Sequence, residues 1–426
     1  MAAIPLLEEV SGSASGRMIG QLADYAGADV PPALIEQIDS RPPRRLAIYP
    51  ASAGFELVEE LDFLAARAVE PNLFFNPRFL APAMPRLEDR DVRLAVIRDG
   101  DEFRSRLRLL VPFSIEKPGI PFAVAHMRAW SSPFGPLGTP LLDSDDPAGV
   151  VSDFLEMLAR PHLKLPKVFA MPEVRLDGPF AAMIGMLAES RGLPLEIVNR
   201  VERPHLESDL SGDDYLRGTL RTHHFREFRR LKRRLGDLGA LEYSVARQPE
   251  EVRLGIETFL ALEAAGWKGR ARTAMAVDRY RAAFVREAAH RLAENDLCRV
   301  HMLHLDGKAI ASLVVFVERG VAYTWKTAYD EAYAAWSPGT LLMIETTRTH
   351  LDDPNIDVTD SCAVPDHPVM SRIWKERRPL GTIVIGLTPD AGRPTRQVAL
   401  QIQRQRKTRN MARILRNRVR KALGRE

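Results

Sequence analysis

The chain is poor in cysteine: Cys298 and Cys362 are its only two among 426 residues. That excludes a disulfide framework and a cysteine-rich zinc site, and it fits a reducing cytoplasm. Long apolar runs are missing too, with nothing near the roughly 20 residues of a membrane-spanning helix. The opening stretch MAAIPLLEEVSGSASGRMIG carries acidic residues and has no basic segment ahead of a long apolar core, so no secretory leader is expected. HExxH, CxxC and clustered His/Cys spacings do not occur, and no metal is expected. Charge of one sign is also lacking in the body. The net charge is +4, yet from Arg393 to Glu426 twelve basic residues face a single acidic one, which leaves the rest of the chain net acidic. The basicity belongs to a tail, and overall charge therefore does not argue for nucleic-acid binding.

What is present is ordinary for a folded protein: 45% hydrophobic and 27% charged residues, with a length that suits two or three domains. Residues 1–44 read as a peripheral segment ending in RPPRR. A first module spans 45–204, with an amphipathic helix at 55–68 and a strand–turn–strand at 92–112 around Asp99-Gly100. A Pro/Gly-rich stretch (131–142) follows, then a helix near 147–160, a strand KVFAM and a helix near 178–191. The second module, 205–390, repeats this order. It has a strand at 241–248, helices at 250–265 and 280–295, and a three-strand meander over 297–330 with an Asp306-Gly307 turn. A helix then runs to about 351, followed by the strand IDVTDSC (356–362), a short helix near 367–377 and a last strand at 381–386. Helix, hairpin, Pro/Gly loop, helix, strand occurs twice, which points to two copies of one α/β module. Residues 391–426 form a basic amphipathic tail, with Met411, Ile414, Leu415, Val419, Ala422 and Leu423 on one side; it suits an anionic membrane surface or a partner helix, or is a free cationic tail.

The meander leads into Ser337-Pro338-Gly339-Thr340. Ser at the cap, Pro at the first helical position and an adjacent Gly describe a helix start that permits close approach. Its free N–H groups and positive dipole end suit a phosphate, or simply make a good helix.

The segments ETFLALEAAGWKGRARTAM, HLDGKAIASLVVFV, AYTWKTAYDEAYAAWSPGTLL and DSCAVPDHPVMSRIWKERRPL together resemble the BioF-like, cellulose-biosynthesis-type acetyltransferase family of the GNAT superfamily, which is related to Fem-type aminoacyl transferases. The resemblance covers about 206–388, and EPNLFFNPRFLAPAM resembles the family's degenerate N-terminal half. It implies tandem GNAT-like modules, each a mixed, mostly antiparallel sheet flanked by helices, the second better formed. It also implies acetyl-CoA or another acyl-CoA as co-substrate, held at Ser337, Pro338, Gly339, Thr340 and Lys326. The implied acceptor is an amine or hydroxyl of a sugar or of a cell-envelope or exopolysaccharide precursor. Ordinary GNAT enzymes carry several glycines at the pyrophosphate loop, whereas YDEAYAAWSPG has one.

Several residues carry alternative readings. Glu263 continues the buried stripe Val252, Ile256, Phe259, Leu260; it is a general base raised by burial, or it meets an Arg or water at the helix end. Asp360 ends the apolar row Ile356, Val358 and is a second candidate base or a paired structural carboxylate. His367 is an acid/base candidate or filler at a helix start. Trp267 and Lys268, in AAGWKGR, line an acceptor or CoA channel, or form a plug with a solvated lysine. Tyr323, Trp325, Thr327 and Tyr329 alternate on one strand face, with Lys326, Ala328 and Asp330 on the other. Tyr329 is placed to protonate a leaving thiolate, with Asp330 beside it on the substrate side. A helix over 215–239 carries eight Arg/Lys against one Glu between 217 and 234. It is a solvated face or an anion contact, and an aminoacyl-tRNA-dependent transfer would use it on RNA. A third possibility is a membrane-recruited scaffold without chemistry.

Overall fold

The computed structural model describes residues 32–422 except 88–89, 101–104, 118 and 120–122, with the backbone alone at 409–410 and 412–422. Its strands are β1 (Leu34–Ile38), β2 (Arg44–Pro50), β3 (Arg93–Asp99), β4 (Arg106–Glu116), β5 (His126–Ala129), β6 (Leu141–Leu142), β7 (Val168–Arg175), β8 (Leu195–Leu206), β9 (Leu241–Ala246), β10 (Cys298–Leu305), β11 (Lys308–Glu318), β12 (Val321–Tyr329), β13 (Val358–Asp360) and β14 (Glu376–Gly386). They form one continuous sheet in the order β1-β2-β3-β4-β5-β7-β14-β8-β13-β12-β11-β10-β9, with β6 beside β4. The second meander is set by its turns. Asp306-Gly307 (φ 49° and 75°) and Arg319-Gly320 (φ 49° and 77°) both take the positive dihedrals that match strand twist in two-residue hairpins.

The expected duplication is visible in the pairing. Each half is an antiparallel meander that ends in one parallel pair, β5 with β7 and β12 with β13. The closing strands are exchanged. β8 follows β7 in the chain but pairs with β13, and β14 follows β13 but pairs with β7. The two then pair with each other and weld the halves together. β8 has no counterpart in the sequence reading, and the expected boundary at 204/205 falls within it.

Helices cover both faces. Val58–Arg67 and Pro77–Leu87 from the first half, with Pro249–Ala265 and Arg279–Ala293 from the second, share one core, in which Phe79 meets Phe284 at 5.2 Å and Phe316 at 5.8 Å between ring centroids. Pro82 and Pro85 are tolerated inside the short Pro77–Leu87 helix. On the opposite face, Pro147–Leu158 and Pro179–Ser190 cover the first half, and Gly212–Thr219, Thr222–Gly236 and Pro338–Asp352 cover the second.

Four expectations change. Leu34–Ile38, placed in a peripheral segment, is a strand paired to β2; residues 1–31 lie outside the described residues. The single helix expected at 215–239 is two, because Leu220 and Arg221 are extended between them. IDVTDSC is a strand only over Val358–Asp360, and Cys362 turns into left-handed backbone at φ 50°. The tail is one helix, Gly392–Ala422, whose first turns belong to the body: Val398 and Ala399 are buried against Val168, Val198 and Val384. Most of its expected apolar side lies outside the described side chains.

Candidate active site

The parallel pair of the second half is short. β12 and β13 pair from Val321–Val358 to Tyr323–Asp360 and then part. Beyond Tyr323, the stretch Thr324–Tyr329 keeps β11 on one side and has no strand partner on the other among the described residues. An unpaired strand edge inside a fold offers backbone N–H and C=O groups to a ligand.

A bulge shapes this edge. Val314 pairs with Lys326 and Val315 with Thr324, so Trp325 is the extra residue. The expected alternation fails here, because a bulge puts consecutive residues on one face and inverts the register beyond it. Trp325 and Ala328 pack in the core shared with the Pro249–Ala265 helix, and Tyr329 packs on the opposite side, with the Pro338–Asp352 helix. Lys326 goes with Trp325. Its Nζ lies 4.5 Å from the Phe134 ring centroid and 5.6 Å from that of Trp325. It is therefore turned toward the Pro249–Ala265 helix and not brought to Ser337–Thr340, where a cofactor role had placed it.

The Ser337 junction has a twin. Asp146-Pro147 opens a helix in the first half as Ser337-Pro338 does in the second, and both cap residues are left-handed, at φ 48° and 52°. The twin supplies its own anion: the Asp146 carboxylate accepts the Gly149 N–H at 3.2 Å and pairs with Arg44. Ser337 makes no side-chain capping bond, contrary to expectation; Asp146 caps from the same left-handed backbone, so the difference lies in the side chain. The Thr340 and Leu341 N–H groups turn back to the Ser337 carbonyl, at 2.9 and 3.1 Å. A Cβ built on Gly339 would meet only the Tyr329 ring, at 3.4 Å, and the Thr327 methyl, at 4.0 Å. The junction is thus an uncapped helix start lined by Tyr329.

The carboxylates are held. Glu263 is buried; one oxygen accepts from Lys268 Nζ (2.8 Å) and the other from the Met275 N–H (2.7 Å). Lys268 also reaches the Thr327 carbonyl, at 3.4 Å. This ties the GWKG segment to the unpaired edge. Asp360, also buried, pairs with Arg203 Nη1 at 3.3 Å and accepts the Cys362 N–H at 2.7 Å. Each is thus held by one cation and one backbone N–H. Asp330 caps the turn Glu331–Trp336 through the Ala332 N–H and binds Lys308 at 3.0 Å, which lowers its pKa. His367 accepts the Met370 N–H at 3.4 Å, and burial lowers its pKa. It sits just ahead of the short helix Met370–Ile373. The Trp267 side chain is exposed, and its backbone N–H donates to Glu331 at 2.6 Å. Burial, followed by the Asp360 charge, holds the Cys362 thiol protonated, far above its ordinary range.

The sequence reading missed what the first half contributes. The Pro/Gly loop at 131–142 crosses to the second half. The Phe134 carbonyl accepts the Trp325 indole N–H at 2.7 Å, and the Pro136 carbonyl accepts Arg203 Nη2 at 3.1 Å. Gly138 lets the loop pass, since a Cβ there would lie 2.1 Å from the Pro172 carbonyl. Arg281, on the Arg279–Ala293 helix, also lies over the Phe134 ring, at 5.5 Å. Only the loop's Pro/Gly density marked it in the sequence.

With this geometry in view, residues 222–360 match the GNAT acetyltransferase domain family. FemX superposes with a TM-score of 0.52 at 9% identity, over 77% of this chain and 95% of FemX. A conserved protein of unknown function from Bacteroides thetaiotaomicron VPI-5482 gives 0.49 at 14% identity, over 78% of this chain and 97% of its own. L-PGS from Bacillus licheniformis gives 0.49 at 11%, over 81% and 96%. No curated protein sequence matches. The fold is α/β with tandem GNAT-like modules, and the second half carries a GNAT-type acyltransferase domain. Among the described residues, no group of His, Cys, Asp and Glu could hold a metal ion, and no helix is long and apolar enough to cross a membrane.

Proposed function

We propose that the chain transfers an acyl group, most simply acetyl, from acyl-CoA to an amine or hydroxyl on a sugar or cell-envelope precursor. The observation that supports this is the contrast between the helix starts: the first is closed by its own Asp146, the second is uncapped and stands at the head of the unpaired β12 edge. Ser337, Pro338, Gly339 and Thr340 would hold the pyrophosphate. The acceptor heteroatom attacks the thioester carbon, and backbone N–H groups of β12 steady the oxyanion. The C–S bond breaks, and Tyr329 gives its proton to the departing thiolate. With Glu263 and Asp360 both held, the acceptor's proton leaves through water.

Calorimetric titration with acetyl-CoA tests this. Saturable binding is expected in the native chain and loss of it in Gly339→Trp, while far-UV dichroism stays unchanged. A native chain that binds neither acetyl-CoA nor CoA overturns the reading.

One observation favours a second reading, aminoacyl-tRNA-dependent transfer. Arg221, Arg226, Arg229, Arg233 and Arg234 are exposed along one helix region, and none has an ion pair among the described residues. Steeply salt-dependent tRNA binding without CoA binding would support it. For the tail, we propose contact with an anionic membrane surface.

A further inference from the structure

Lys326 is an anomaly in the shared core. It is half-buried, and it has no hydrogen bond or ion pair among the described residues. A long cationic side chain normally reaches solvent or a carboxylate. Here the carboxylate that acts on it, Glu263, is already taken by Lys268 and the Met275 N–H. Arg281 lies over the same Phe134 ring, and among the described residues its carboxylate partner is Asp278, at 3.6 Å. The groups facing Lys326 are thus Glu263 and Lys268 from the Pro249–Ala265 side, Arg281 from the next helix, and the protonated Cys362 thiol from the β13 side. Of the three cations, Lys268 is paired with Glu263 and Arg281 with Asp278, which leaves Lys326 uncompensated beside the unpaired β12 edge. Burial, followed by repulsion from Lys268, pulls the Lys326 ammonium down to about 8. The strain of an unpaired cation is relieved if an anion enters.

We infer that the acceptor carries a negative group, a carboxylate or phosphate, which seats between Lys326 and Arg281 at the Phe134 ring and so sets the attacking amine or hydroxyl against the β12 edge. The inference rests on reading that edge as the transfer site. It also gives the first half a role: its loop delivers Phe134, the platform on which both cations lie.

Competitive labelling with acetic anhydride, read by peptide mass spectrometry, tests it without any acyl donor. At pH 8 Lys326 should react several-fold faster than the exposed Lys164 and Lys167. Inorganic phosphate or acetate, added at constant ionic strength with chloride, should slow Lys326 at least fivefold and leave the two reference lysines unchanged. Protection by phosphate alone assigns a phosphate-bearing acceptor, and by acetate a carboxylate. Arg281→Gln should weaken the protection, with labelling of the references intact. Failure of both anions to protect a reactive Lys326 overturns the inference, as does a Lys326 that never reacts in the folded chain. A chain that binds acetyl-CoA but shows no protection loses this inference alone; protection without CoA binding overturns only the acyl-CoA reading.

Discussion

Glu263 shows what a single residue can and cannot declare. Its place on a buried stripe was legible, since helical spacing put it four residues beyond Phe259. Its partners were not: Lys268 lies in the next short helix and the Met275 N–H twelve residues on, and periodicity carries no information about either. Removing this carboxylate would leave a buried N–H and a lysine without partners. Glu263→Ala should therefore destabilise the fold by about 2–4 kcal/mol, measured by urea unfolding. A variant that keeps full stability and loses only turnover would return Glu263 to the role of base. Lys326 fails in the opposite way. Strict alternation set it on the face opposite Trp325, and the bulge at Trp325 puts the two on one face. A bulge depends on pairing with β11, so it leaves no mark on β12 alone.

At the scale of the element, the Pro338–Asp352 helix was read correctly in position and misread at its cap. Its underside was unread. Thr346, Thr347 and His350 are buried on this side; Thr347 accepts the Trp374 indole N–H, the neighbouring Thr349 donates to Tyr243, and His350 meets His301, an unusually polar contact for a helix on a sheet. The His301 and His350 rings stand 5.2 Å apart, edge to face, and each has an Nε2 without a partner. Burial, with repulsion from Arg299, depresses His350 to about 3, and burial with the nearby His350 holds His301 well below its ordinary value. Unfolded, both would titrate near 6.5. Between those values the unfolded chain binds protons that the folded chain refuses, so this contribution to stability is complete above about pH 6.5 and is lost as pH falls. Urea midpoints should fall between pH 7 and pH 5. The double variant His301→Gln/His350→Gln should flatten that slope; an unchanged slope would show that other groups govern it.

The two halves were legible as repeats because each meander carries its own turn signals. Their joining was not, because β8 and β14 meet partners far away in sequence. One contact across the halves carries a measurable charge effect. Glu318, at the end of β11, accepts the Asn76 side-chain N–H at 2.7 Å, and its other oxygen is buried without a partner. Burial raises its pKa to about 7. The folded value lies above the unfolded one, so stability is fully present below about pH 4.5 and is lost as pH rises through 7. Glu318→Gln keeps an acceptor for Asn76 and removes the ionisation. It should raise Tm by a few degrees at pH 8 and by much less at pH 5; equal effects at both would refute the assignment.

The exchange of closing strands also has a meaning in time. A chain leaves the ribosome N-terminus first, and an ordinary tandem protein folds its leading domain while the next is being made. Here the strand that completes the leading half is the last in the sequence, Glu376–Gly386. The open backbone edge of β7 must therefore wait, unpaired, through the synthesis of some two hundred residues (roughly ten to forty seconds at 5–20 residues per second). Throughout that interval the nascent protein presents an unpaired strand edge, the kind of surface that invites wrong pairing until residue 386 has emerged.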